Sequence, residues 1–142
     1  LMPEVSAATL YNQIKNFKKI IIKRKKIWNY YYTNLKLWSE KNKIKLPLVP
    51  KDCEQTYHMF YLIFPNKLSK EKLAIYLNKK NIKAYSHYSP LHNSKVGRLI
   101  SQKKNNYKNS QETSDRILRL PMFYDLTFKN LKYIVETIKK SS

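Results

Sequence analysis

The chain is poor in glycine, cysteine and acid. One glycine among 142 residues leaves few cheap left-handed backbone positions, so helix ends must fall back on asparagine, the second choice for that conformation. One cysteine, Cys53, excludes an internal disulfide and a multi-cysteine zinc site, and it suits a reducing compartment. No apolar run approaches the thickness of a bilayer, and the first residues do not read as a signal peptide. A soluble cytoplasmic protein with no membrane partner is therefore the expectation.

Acidic residues number nine against 29 Lys and Arg, a formal net charge of +20. Two explanations compete. A surface for nucleic acid or anionic lipid would carry such a charge. A coding sequence biased toward AT would also produce it, because Lys, Asn, Ile and Tyr are all abundant and the lysines run through the whole chain rather than along one stripe. The compositional explanation is preferred, and a basic nucleic-acid-binding module is kept as an alternative function. A non-catalytic interaction domain docking through its N-terminal helix is another.

What is present suffices for a core. Hydrophobic content of 42% and aromatic content of 13% predict one folded domain at this length, too short for two ordinary ones. Met2-Pro3-Glu4 reads as a helix start. From there Leu10, Ile14, Phe17, Ile21, Arg24, Trp28, Tyr31, Leu35 and Trp38 recur at steps of four and three. They predict one apolar stripe on a helix of roughly ten turns, interrupted only by Arg24. The rest of the chain is too small to cover such a helix along its length, so another domain or subunit is expected against part of it. Arg24 reads either as half of an ion pair across that interface or as a snorkelling surface residue.

Beyond the connector Leu46-Pro47-Leu48-Val49-Pro50, the run Tyr57 to Phe64 predicts a buried strand closed by Pro65. Ser69 is placed to cap a helix over Lys70 to Lys80, with Leu73, Ile75, Tyr76 and Leu77 apolar and Asn81 at its left-handed end. A second strand is expected over Ile82 to Tyr88. The stretch Lys95 to Asn109 is polar and basic and reads as a mobile excursion. A short helix over Gln111 to Arg119, an extended Leu120-Pro121-Met122-Phe123 and a last helix capped by Thr127 through Leu131, Ile134, Val135 and Ile138 complete the chain.

His87 and His92 flank Pro90 in a loop, where function concentrates and where the imidazole's near-neutral pKa is useful. Two surface histidines in a polar loop would look the same. His58, inside an apolar strand, reads more readily as a core histidine with one hydrogen bond. His58, His87, His92 and Cys53 show no tight ligand spacing, and no metal site is expected.

Four pieces of sequence come in a particular order: Met2 to Ala8, His58 to Tyr61, Asn81 to His92, and Arg119 to Thr127. Together they resemble the C-terminal part of DegT/StrS-type sugar-nucleotide aminotransferases, nearly end to end except for Lys95 to Asn109. Within that family the closest branch resembles the dTDP-4-amino-4,6-dideoxygalactose transaminases. The resemblance implies an α/β small domain of the aspartate aminotransferase fold type I: a long linker helix, then a small mixed or antiparallel sheet with flanking helices. It divides the chain into an interface helix over 1–40 and a small domain over 41–142.

It further implies an enzyme that uses pyridoxal phosphate (PLP) to move an amino group from glutamate to a 4-keto-6-deoxy sugar nucleotide, a homodimer when whole, serving surface polysaccharide or antigen biosynthesis. His87 and Tyr88 match the family's His-Tyr pair facing the active-site mouth. His92 follows as in the family, and His58 is the remaining substrate-binding candidate. The family's Schiff-base lysine, held in a desolvated pocket, lies in a large domain absent from this chain. The chain is thus expected to be a C-terminal fragment or truncated product, inactive in transamination alone.

Overall fold

Asn16 interrupts the long helix that the apolar stripe predicts. In the computed structural model, which describes residues 2–100 and 107–141, α1 covers Glu4–Lys15 and α2 covers Phe17–Lys41. Asn16 between them has φ −98° and ψ 6°. Its side-chain Nδ2 donates to the Asn12 carbonyl at 2.9 Å, so a short polar side chain competes with the backbone for the same acceptor. The chain stays helical on both sides, but the stripe divides. Leu10, Ile14 and Phe17 are exposed, whereas Ile27, Trp28, Tyr31 and Leu35 are buried. α1 buries nothing. Arg24 is half-buried, and its Nε has no hydrogen-bond partner among the described residues.

The remaining elements are β1 (Phe60–Ile63), α3 (Lys67–Lys79), a 3-10 turn (Leu91–Asn93), α4 (Lys95–Ile100), α5 (Lys108–Arg116), β2 (Ile117–Leu120) and α6 (Phe128–Lys139). β1 and β2 pair antiparallel, with Phe60 opposite Leu120 and Ile63 opposite Ile117. One face of this ribbon, Phe60, Leu62, Leu118 and Leu120, is buried in a core shared with α2 and α6, where the rings of Trp28 and Tyr31 meet Phe60. The mixed helical architecture around a small antiparallel sheet is the expected one. Two short strands cannot stand alone in water, so the helices that cover one face are what stabilise the ribbon.

Several boundaries differ from the sequence expectation. The buried strand is four residues long and begins only at Phe60, because Tyr57 adopts a left-handed backbone (φ 50°) that breaks the extended run before it. His58 therefore lies outside the strand and is exposed, not a core histidine. The second expected strand shrinks to one bridge, where Tyr85 and Arg119 exchange N–H to O bonds of 3.1 and 2.8 Å. Past it the Tyr88 carbonyl accepts from Ser114 Oγ at 2.8 Å, which ties the segment to α5 and not to the ladder.

α3 starts earlier than expected, since Asn66 rather than Ser69 caps it and accepts from the Ser69 N–H at 2.8 Å. Its far end is as anticipated, with Asn81 left-handed at φ 58°. Leu73 and Leu77 are buried on it, but Ile75 is exposed. The basic stretch expected to be mobile contains α4, whose Gly97 N–H donates to Ser94 Oγ at 2.8 Å; its residues 101–106 lie outside the described part. Helix α5 ends at Arg116, and Ile117 to Arg119, expected to be helical, are strand: pairing with β1 overrides the local preference. α6 begins where Thr127 predicts, its Oγ1 accepting from the Asn130 N–H at 3.2 Å, and it buries Leu131, Ile134, Val135 and Ile138.

Tyr31 joins the two ends of this core. Its ring packs on Phe60 at 5.1 Å and its hydroxyl donates to the Pro121 carbonyl at 2.9 Å. Burial raises its phenol well above the usual tyrosine range. The neutral form is thus favoured in the folded state, so its contribution is complete below pH ~10, where a free phenol ionises, and is lost as pH rises further. Tyr31→Phe is expected to lower stability by about 1–2 kcal/mol at neutral pH, through the stranded carbonyl. It should also reduce the loss of stability above pH ~10. Denaturant melts of both chains at pH 7 and pH 11 check this; equal slopes with pH would refute the ionisation argument.

Candidate functional site

The exchange of backbone bonds between Tyr85 and Arg119 sets two polar side chains beside each other. Arg119 Nη1 lies 3.3 Å from His87 Nδ1, across 32 residues of sequence. A guanidinium can only donate, so Nδ1 accepts and the imidazole's proton sits on Nε2. His87 is half-buried, its ring 5.8 Å from Tyr85 and 4.8 Å from Tyr88. This pair stands at a cleft of about 570 Å³ between the Asn81–His87 segment, the end of β2 and the first turns of α6. Ile82, Leu120, Met122, Leu126 and Ile134 supply its apolar surface, and Lys80, Lys83, Arg119 and Asn130 its polar groups. The volume falls within the range of small-molecule sites.

The other candidates are not gathered here. Tyr88 is exposed and touches the site only through the His87 ring. His92 sits on the 3-10 turn and stacks on Tyr107 at 4.6 Å. His58 lines a different depression, beside Cys53 and Met59, with Thr56 Oγ1 3.0 Å from its Nδ1. Among the described residues no three His, Cys, Asp or Glu side chains cluster, and no helix is long and apolar enough to cross a membrane. The candidate site residue that the sequence alone does not single out is Arg119. A helix over Gln111–Arg119 hides it, whereas the alternation in Ile117-Leu118-Arg119-Leu120 ahead of Pro121 is the strand signal that exposes one polar side chain per turn of the pleat.

Pyridoxal phosphate, implied by the resemblance, needs a lysine held out of water inside its pocket. The only buried lysine among the described residues is Lys70, on α3 and away from the cleft lining, while the cleft's Lys80 and Lys83 are exposed. The described residues of this chain do not by themselves fit the cofactor.

Comparison with known proteins bears on the same question. The DegT/DnrJ/EryC1/StrS aminotransferase family matches residues 1–139. A pleiotropic regulatory protein of Geobacillus stearothermophilus is 27% identical over 94 residues, which is 66% of this chain and 25% of that protein. Among solved structures, DesV of S. venezuelae superposes with a TM-score of 0.82 at 18% identity, covering 94% of this chain and 35% of DesV. Spr1654 of Streptococcus pneumoniae, described as a sugar aminotransferase and solved in a PLP form, gives 0.79 at 19% identity over 92% of this chain and 33% of its own. At such identities the structural likeness shows the fold. The chain spans about a quarter to a third of the length of these proteins.

Proposed function

This chain belongs to the DegT/DnrJ/EryC1/StrS aminotransferase family, and from that membership we propose that it is the small C-terminal domain of a PLP-dependent sugar-nucleotide aminotransferase. In the whole protein an amino group passes from glutamate to the keto carbon of a 4-keto-6-deoxy sugar carried on dTDP. Among such enzymes its sequence pieces resemble the dTDP-4-amino-4,6-dideoxygalactose transaminases, and that activity is the one proposed. The observation that carries the reading is the family match over nearly the whole chain, joined to a cleft that pairs His87 with Arg119.

The cofactor would supply the electron sink, and a large domain outside 1–142 would bring its lysine. Residues 1–40 then serve as the interface helix and 41–142 as the small domain. The uncovered Leu10, Ile14 and Phe17 of α1 would be buried by that large domain or by the second subunit of a homodimer. His87 and Tyr88 are the substrate-facing side chains nearest the cleft. His92, farther along the same loop, and His58, on another depression, are assigned weaker effects. With its proton on Nε2, His87 is oriented by Arg119 to donate to a sugar or phosphate oxygen.

Without the large domain, the chain should not catalyse transamination. The whole protein purified with PLP should show visible cofactor absorbance and should aminate a dTDP-4-keto-6-deoxy sugar from glutamate. His87→Ala should lower its kcat/KM by roughly tenfold or more, and His58→Ala by less than about twofold. A colourless whole protein inactive with every keto-sugar nucleotide would sink the reading.

A further inference from the structure

The face formed by the 3-10 turn and α4 has no role in transamination as read above, and Lys95 to Asn109 is the stretch that the family-like sequence pieces leave out. Four aliphatic side chains stand there in water. Leu91 is 85% exposed, Val96 62%, Leu99 83% and Ile100 72%. Val96, Leu99 and Ile100 fall at i, i+3 and i+4 of α4, so they share one side of the helix. Leu91 lies beside them, because Gly97 lets the backbone of the turn close against α4. The turn is anchored from behind. Asn93 Nδ2 donates to Gln111 Oε1 of α5, and Arg98 Nη2 donates to the Asn93 carbonyl at 2.9 Å.

Positive charge accompanies the same face. Lys95 and Arg98 are exposed on α4 and make no ion pair among the described residues. Between Glu71 and Glu112 the sequence has nine Lys and Arg and no Asp or Glu. In a chain of net charge +20, a run without acid is not distinctive by itself. Its coincidence with uncovered aliphatic side chains is, since such a patch marks an interaction surface.

Three kinds of partner make different demands. A protein interface disfavours lysine at its centre. Nucleic acid would meet the cations but leave the aliphatic side chains wet, because they offer no ring on which a base can stack. A membrane surface takes both parts: aliphatic groups enter the boundary between headgroups and acyl chains, while Lys and Arg meet anionic headgroups. We propose that the face of Leu91, Lys95, Val96, Arg98, Leu99 and Ile100 binds the surface of a bilayer containing anionic lipid. The expectation of no membrane partner rested on the lack of a spanning run, and a segment lying on the surface needs none.

The test is cosedimentation of the full chain with lipid vesicles at about 0.15 M salt, an ionic strength that screens diffuse attraction. Vesicles of phosphatidylcholine with about one-quarter phosphatidylserine should retain the chain, and phosphatidylcholine alone should retain it at least about fivefold less. Leu99→Ala and Lys95→Gln should each weaken binding about fivefold, the first by removing inserted apolar surface and the second one cation at an anionic surface. Leu37→Ala and Lys36→Gln make the same removals at exposed positions of α2 and should leave binding unchanged. All four side chains are exposed, so these variants fold.

No retention by the anionic vesicles, or an equal loss in all four variants, would overturn the proposal. A loss with Lys95→Gln but none with Leu99→Ala would overturn it too, since charge alone would then suffice, as for nucleic acid. Vesicle binding by this chain but not by the whole protein would assign the face to a domain interface, again against the proposal. Amino transfer by the whole protein to a soluble sugar nucleotide should be unmoved by Leu99→Ala. Failure of the transaminase reading would therefore leave vesicle binding intact, and the reverse holds as well.

Discussion

Phe60→Ala is expected to lower the unfolding free energy by about 3–5 kcal/mol, the usual cost of truncating a fully buried phenylalanine. Phe60 is 0% exposed at the start of β1. Its ring meets Trp28 edge-on at 5.4 Å and stacks on Tyr31 at 5.1 Å, so it joins α2 to the ribbon. The opposite residue, Leu120, leads directly into the Pro121 carbonyl that Tyr31 holds. Removing the ring leaves a cavity that neither rigid neighbour can fill. Domains of this size have only about 5–15 kcal/mol in total, so a large part of the stability is at stake. Guanidinium melts followed by tryptophan fluorescence check it; a loss below about 1 kcal/mol would mean that the α2–β1 junction is not the centre of the core.

Gly97→Ala should disturb the His92 turn, although alanine is the better helix former. Gly97 lies within α4, and its backbone is not left-handed. The chain keeps its one glycine here for space. A Cβ at this position would lie 1.9 Å from the Leu91 carbonyl oxygen and 2.8 Å from its carbon, a clash with backbone that no side-chain rotation relieves. That oxygen already accepts from the Ser94 N–H at 3.0 Å and Ser94 Oγ at 2.8 Å.

The propensity gain of about 1 kcal/mol is outweighed by an overpacking cost of about 1–3 kcal/mol. Relief comes by pushing the 3-10 turn away from α4, which shifts His92 relative to Tyr107. The expected readout is a lower melting temperature together with moved His92 ring resonances in NMR spectra. A variant as stable as the parent with His92 unmoved would show that the turn and α4 do not pack as described.

The sequence was most legible where structure depends on neighbours within one helical turn. Thr127 caps α6 and Asn81 closes the end of α3, because a side-chain oxygen three residues from an N–H, or an amide tolerant of positive φ, acts locally. Periodicity likewise identified the buried Trp28, Tyr31 and Leu35 of α2 and the buried face of α6. The same periodicity could not show that the stripe's first half, Leu10 to Phe17, stays exposed among the described residues, since apolar spacing states only that a partner is wanted.

The strand boundaries differ from the sequence expectation at both ends. Length and register in a sheet depend on a partner far along the chain: Ile117 to Arg119 are extended because β1 pairs with them, and Tyr57 ends β1's run by packing its ring on Trp28 with a left-handed backbone. His58 followed that strand out of the core. The loop histidines were visible in sequence, and so was the resemblance that gave them meaning. That His87 is held by Arg119 while His92 and His58 stand apart was not visible. The His87–Arg119 pair follows from one backbone bridge between Tyr85 and Arg119, a contact between distant segments that the packed ribbon creates and no local pattern announces.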